Sequence, residues 1–348
     1  MKRILFAFLF LFLFVLTAAA REHSYPEFVI EGSGKIACEG AEIKPEDSGT
    51  ARKAGDRMVK MADGIEYAFR WCPAGTFTMG SSISEWDAAG ISWKSYDEER
   101  HSVTLTKGFW MLETEVTQAM WKSVMGTTVR QQRDKGNPDW PLRGEGSDYP
   151  IYYVNWEESG TFCEQLSSKL GVQVSLPTEA QWEYACRAGT TGVYAGDLDA
   201  MAWYDSNSGS KTHPVGQKKA NEWGLKDMHG NVWEWCLDKY DSNFYDRSPT
   251  SAPSNLESSG SSRVYRGGSW SYFAECCCSA YRSRYGRTIG TTTWVSVSFW
   301  QIQRSRAECS RLAGAETESA PASRRHVVRN SSPLKGNRVF RSTLRALA

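Results

Sequence analysis

The chain has 348 residues, a formal net charge of +1 and 15 tryptophans. A near-neutral balance lacks the basic face that a nucleic-acid partner needs. The length allows two domains, yet the informative segments read as one domain between irregular ends.

Lys2-Arg3 precede an apolar run from Ile4 to Leu16, and Ala18-Ala19-Ala20 supplies small residues for cleavage. Too short to span a bilayer comfortably, residues 1–20 read as a cleaved signal peptide. The mature chain is then expected in the periplasm or outside the cell, without a transmembrane anchor. Export permits disulfides. The nine cysteines (Cys38, Cys72, Cys163, Cys186, Cys236, Cys276, Cys277, Cys278 and Cys309) show no CxxC or Cys/His ligand spacing, so no structural zinc site is expected.

Residues 21–60 are polar and weakly patterned, a lead-in with room for one strand. The domain is assigned to 61–300. From Tyr67 to Gly80 apolar residues alternate around Pro73-Ala74-Gly75, a hairpin signal, and Val103 to Trp110 reads as a further strand. Thr117 is placed to cap a helix carrying Met120, Trp121, Val124 and Met125, with Gly126 as its stop. Asn155 with Glu158 forms a capping box for a second helix through Phe162, Cys163 and Leu166. Thr178 with Gln181 repeats the device for a third, ended by Gly189.

Three later segments say more. They are Leu176-Pro177-Thr178-Glu179-Ala180-Gln181-Trp182-Glu183-Tyr184, then Leu225-Lys226-Asp227-Met228-His229-Gly230-Asn231-Val232-Trp233-Glu234-Trp235-Cys236, then Arg266-Gly267-Gly268-Ser269-Trp270. Indoles broken by Gly and Asn make poor helix and poor strand, and suit an irregular core with tight turns. In this order the motifs resemble the formylglycine-generating enzyme (sulfatase-modifying factor) family, from roughly Trp71 to Arg287. The resemblance implies an α+β, loop-rich, C-type-lectin-like fold with little regular secondary structure.

The active members of that family oxidise a substrate cysteine with a spaced pair of copper(I)-binding thiolates just after the Gly-Gly-Ser motif. Soft thiolates suit Cu(I). Ser269 matches that Ser, but Tyr272 stands where the first thiolate is expected, and the segment to Arg282 is shorter than in active enzymes. The contiguous Cys276, Cys277 and Cys278 do not reproduce the spacing. They remain open to three readings: a structural disulfide, leftover reactive thiols, or a copper site, which the pattern argues against. The resemblance pairs Cys277 with Cys186, with Cys278 as the fallback.

Asp227 and Glu234 flank a turn whose Gly230 and Val232 carbonyls are expected to point inward, a donor mix that hard cations accept. The same positions resemble a structural calcium site of the family, with Asp227 in the place of an Asn. The competing reading makes Glu234 a cap for backbone amides. The five histidines, His23, His101, His213, His229 and His326, are scattered, and packing is the expected role of His229.

Between Trp270 and Arg287 lies a Tyr- and Ser-rich stretch suited to adaptable contacts. Ser271, Tyr272, Phe273, Tyr281, Arg282 and Tyr285 are its candidate binding residues for a protein or small-molecule ligand. Nearly every residue there except Glu275 is reachable from an Asn codon by changing its two adenines. That pattern resembles the variable region of retroelement-diversified proteins that display loops on this fold. After Arg287 the texture changes. Read from the third base of each codon, Thr288 to Gln301 can encode Tyr-Arg-Asn-Asn-Asn-Leu-Gly-Phe-Arg-Leu-Val-Leu-Ala-Asp, and family members close their domain on such a Gly-Phe-Arg strand. A frameshift near Arg287 is therefore the hypothesis, and 301–348 is otherwise a disordered tail. Three functions stay in view: an exported binding module, an oxidoreductase acting on a sulfatase cysteine, and an inactive fragment. Resequencing the gene across these codons is expected to reveal the shift, and an intact frame with peptides covering the tail would refute it.

Overall fold

The computed structural model describes residues 52–88, 90, 97–286 and 295–296. All fall in one compact unit of the chain, 47–348. The expected signal peptide, most of the lead-in, the shifted frame apart from Val295-Ser296, Cys38 and Cys309 lie outside the described residues.

The first sheet forms around β1 (Arg57–Ala62) and β2 (Ile65–Cys72), paired antiparallel across Asp63-Gly64. Both turn residues take positive φ, 50° and 76°, as a two-residue hairpin turn demands. The hairpin expected at Pro73-Ala74-Gly75 is not formed. β2 pairs instead with β5 (Phe109–Leu112), while β3 (Gly75–Met79) pairs with β4 (His101–Leu105). The single strand expected from Val103 to Trp110 is likewise two strands. Gly108 lies between them against the Trp71 ring, where any Cβ would collide.

Helix α1 (Ile83–Ala88) precedes β4. α2 (Gln118–Met125), α4 (Trp156–Leu170) and α5 (Glu179–Arg187) are the expected helices, capped by Thr117, Asn155 and Thr178, each accepting the N3 backbone N–H. α3 (Val129–Gly136), capped by Thr128, was not anticipated. α5 ends with Ala188 itself in the left-handed region at φ 46°, one residue before Gly189. α6 (Leu198–Met201) and α7 (Phe244–Arg247) are single turns. The last sheet has the order β8-β7-β6-β9, from β6 (Trp233–Lys239), β7 (Ser262–Arg266), β8 (Arg282–Gly286) and β9 (Val295–Ser296). The α+β, loop-rich, C-type-lectin-like class is thus the fold observed.

Indoles fill the core. Trp121 stacks on Phe162 at 5.2 Å, and Trp121, Trp182, Trp233 and Trp235 are fully buried. Through this apolar mass runs a buried ionic network. The Arg282 guanidinium clasps both oxygens of Glu179, at 2.8 and 2.7 Å. Arg266 binds Glu183, which also accepts from Arg187 Nε at 2.9 Å. Burial works to raise the Glu183 pKa, and Arg187 and Arg266 overcome it and hold the carboxyl below its ordinary range.

Glu98 is different. It is buried, takes one hydrogen bond from Ser81 Oγ at 3.0 Å, and leaves Oε1 without a partner. Burial pushes its carboxyl up to about 8, against the pull of Arg266 and with Asp97 and Glu183 adding to the rise. A folded-state pKa above the unfolded one means that the native state holds the proton more tightly. The contribution is full below the unfolded value and is lost as pH rises through the folded one. Glu98 should therefore contribute up to about 1.4 kcal/mol per pH unit to a fall in stability between roughly pH 5 and 8 in denaturant unfolding, a part of the slope that Glu98→Gln removes. An unchanged slope in Glu98→Gln would assign the titration elsewhere.

Candidate functional site

β7 delivers Arg266 into the core, and Gly267 and Gly268 then turn the chain with φ of 95° and 77°. The turn is obligatory at Gly268, because a Cβ there would sit 2.5 Å from Cys277 Sγ and 2.9 Å from the Cys276 carbonyl. Gly230 N–H donates to the Gly267 carbonyl at 2.7 Å, and Trp270 N–H to Asn231 O at 2.9 Å. These bonds lock the two Trp-containing motifs together. Beyond them a single 3-10 turn, Ala274–Cys277, leads into β8, where Arg282 pairs across to Arg266.

The segment from Ser269 to Tyr285 has an inner and an outer side. Tyr272 packs edge-on against Trp233 at 5.2 Å, Tyr265 does so at 4.8 Å, and Tyr281 lies 5.8 Å away. Tyr272, Tyr281 and Tyr285 are half-buried flanks of the core, whereas Phe273 is 68% exposed and Ser271 is exposed. Arg282, expected on the binding face, is instead 4% exposed and committed to Glu179. A guanidinium with both ends answered inside the protein is unavailable to a ligand.

The thiols face inward. Cys277 and Cys278 are buried and Cys276 half-buried. Burial pushes Cys276 up to about 11 and Cys186 to about 12, and raises Cys277 and Cys278 as well. A thiol so raised stays protonated near neutral pH, a poor nucleophile and a poor soft-metal ligand. The expected Cys186–Cys277 bond is not formed, and both residues are free thiols, as is Cys278. Cys277 Sγ abuts Gly268, and Cys186 Sγ lies 3.7 Å from the His229 ring. His229 does more than pack. Its Nδ1–H donates to the Cys277 carbonyl at 2.7 Å, and its Nε2 accepts from Ala195 N–H at 3.2 Å. That tautomer is neutral, and burial pushes its pKa down to about 4.

Beneath the locked motifs lie Asp227 and Glu234, both buried. Asp227, at φ 60°, accepts from Gly216 N–H at 2.6 Å, and Glu234 accepts from the Trp182 indole at 2.6 Å. Glu115 joins them, although nothing in the sequence marked it. It accepts from Val232 N–H at 2.9 Å and from Asn231 Nδ2 at 2.7 Å. Burial, with the Asp227 and Glu234 charges adding, raises Glu115 well above the carboxylate range, and burial pushes Asp227 up to about 6. Among the described residues no three His, Cys, Asp or Glu side chains converge to hold a metal ion. A cation here would depend on the Gly230 and Val232 carbonyls as well as the two expected carboxylates. The donors are all oxygen and anionic in sum, the chemistry of a hard cation rather than a soft one.

Residues 63–293 match the sulfatase-modifying factor enzyme 1-like domain. A chaperone protein LppX of Paenibacillus barcinonensis is 29% identical over 243 residues, covering 54% of this chain and 77% of that one. The formylglycine-generating enzyme of Streptomyces coelicolor is 32% identical over 155 residues, 40% of this chain, but the match spans only 46% of the enzyme. Among solved structures, Treponema denticola variable protein 1 superposes with a TM-score of 0.57 at 25% identity, covering 71% of this chain and 99% of that one. PvdO of Pseudomonas aeruginosa gives 0.62 at 23%, covering 73% and 100%.

Proposed function

Because this chain belongs to the sulfatase-modifying factor enzyme 1-like domain family but carries an aromatic side chain where the family resemblance puts its first copper thiolate, we propose that it is an exported binding module and not a peptide-cysteine oxidase. The observation that carries the proposal is the seating of Tyr272. Its ring is packed on Trp233, so the position is filled by an aromatic wedge that offers no thiolate. Of the nearby cysteines, Cys277 abuts Gly268, and burial raises its thiol, which favours the protonated form. Meanwhile Ser271 and Phe273 face outward from a segment pinned at both ends, the architecture of a display loop. Likeness to a Treponema variable protein supports this reading, and with it the proposal that the segment is retroelement-diversified. A relative described as a chaperone favours a protein partner over a small molecule.

The test is direct. Incubated with a Cys-x-Pro-x-Arg peptide, Cu(I) and oxygen, the purified chain should yield no formylglycine by mass spectrometry, and Tyr272→Cys alone should not create activity. Turnover by the wild-type chain would overturn the proposal in favour of the oxidoreductase reading. Phe273→Ala should leave stability within about 1 kcal/mol, as exposed positions generally do.

Calcium belongs to the same proposal as a structural ion, held by the Asp227 and Glu234 carboxylates with the Gly230 and Val232 carbonyls. Bound there, it would supply positive charge to a buried anionic pocket and would favour the ionised carboxylates. EDTA should then lower the melting temperature, and Glu234→Ala should remove that sensitivity. Folded protein indifferent to the chelator would exclude the ion.

A further inference from the structure

The outer side of the display segment has a defined electrostatic character. Phe273 stands at its tip, 68% exposed. On one side the loop carrying Asp205 is joined to it, Asp205 N–H donating to the Tyr272 carbonyl at 3.0 Å. On the other, Glu275 sits in the 3-10 turn two residues on. Asp205 accepts only a neighbouring hydroxyl, Ser206 Oγ at 3.1 Å, and neither carboxylate forms an ion pair among the described residues. Cys276, next to Glu275 in the chain, is half-buried and hydrogen-bonded to Tyr281. Burial raises that thiol first, Tyr281 opposes, and the Glu275 and Asp205 carboxylates add to the rise. Two cations of the adjoining framework are already engaged. Lys218 Nζ lies 4.0 Å from the Trp203 ring centroid and Arg143 lies 6.0 Å from that of Trp270. In a chain of net charge +1, this is a local acidic rim around an exposed aromatic.

Resting on the binding-module reading, we infer that the partner of this face is a protein segment presenting a Lys or Arg side chain beside an apolar residue. The cation lies between Asp205 and Glu275, within reach of the Tyr272 ring, and the apolar residue covers Phe273. A charge held by two carboxylates and an aromatic face gains both Coulomb and cation–π attraction. Burial of an otherwise exposed Phe supplies the affinity that rim charges alone do not.

Three fluorescent dodecapeptides of identical spacing test this, each with two Leu and with Arg, Gln or Glu at the intervening positions. Titrated by anisotropy against the mature chain at low salt, the Arg peptide should bind tightest and weaken as salt rises. Phe273→Ala and the double variant Asp205→Asn/Glu275→Gln should each weaken it by about tenfold, a loss typical of interface anchors. Binding of the Glu peptide as tight as that of the Arg peptide, with Phe273 still required, would overturn the charge assignment and leave the binding face standing. Arg-peptide binding indifferent to Phe273→Ala would reduce the effect to unspecific attraction and overturn the inference. No Phe273-dependent binding of any of the three would overturn both.

Discussion

Two buried arginines hold the molecule's working segment in place. Arg266 ends β7 and Arg282 begins β8, the two are cross-strand partners, and each reaches a carboxylate on the same helix, Glu183 and Glu179 of α5. Everything between them is a loop closed at its base by a β-pair and by two ionic clasps. Buried ion pairs of this kind add little net stability, because desolvation consumes most of the Coulomb gain. Their effect is on uniqueness. A paired guanidinium in a dry core disfavours slippage of β7, β8 and α5, because another register would leave Glu179 or Glu183 unanswered. Removing one partner would strand a buried charge, which typically costs about 3–5 kcal/mol.

The same constraint explains why the thiols are buried. A loop drawn tight at Arg266 and Arg282 has to bring its return path against the Gly267-Gly268 turn, and Cys277 is the residue that meets it. His229 then fixes the carbonyl of Cys277 from the other side. The cysteine run serves as small, apolar filling between a glycine turn and an imidazole, a common role for buried free cysteine. Chemistry on a soft metal would require these sulfurs to turn outward and ionise, against both burial and the clamp.

Much of the scaffold was legible in the sequence because it rests on local rules. Thr117, Asn155 and Thr178 cap helices where they stand, since a short polar side chain before an apolar period satisfies free amides wherever it occurs. The hairpin turn that forms is Asp63-Gly64, which the sequence reading passed over, while the Pro73-Ala74-Gly75 segment merely separates strands of different sheets. Which strand pairs with which is a non-local matter, and alternation says nothing about it. The burial of Arg282 was beyond sequence reasoning for a related reason. An arginine in a Tyr- and Ser-rich stretch reads as surface, and only the fold reveals that Glu179, 103 residues away, is waiting for it. Glu115 escaped notice likewise, being one of 40 acidic residues with no distinguishing neighbours.

The division of the segment into sides narrows what diversification could achieve. A codon-level mechanism acts on a continuous stretch, but the fold presents only part of that stretch to solvent. Ser271 and Phe273 point out, Glu275 and Cys276 are partly accessible, and Cys277, Cys278, Ser279, Ala280 and Arg282 are buried. Variation at the buried positions would have to keep volume and, at Arg282, charge, because an empty cavity or an unanswered Glu179 would destabilise the frame that displays the rest. The surface open to change is therefore narrower than the sequence stretch, and its floor is set by the tyrosines on Trp233. On the proposed reading, such a face would recognise partners by swapping a few outward side chains on a rigid aromatic base. Such an arrangement keeps the ordering cost of binding low, because the loop is already fixed before any partner arrives.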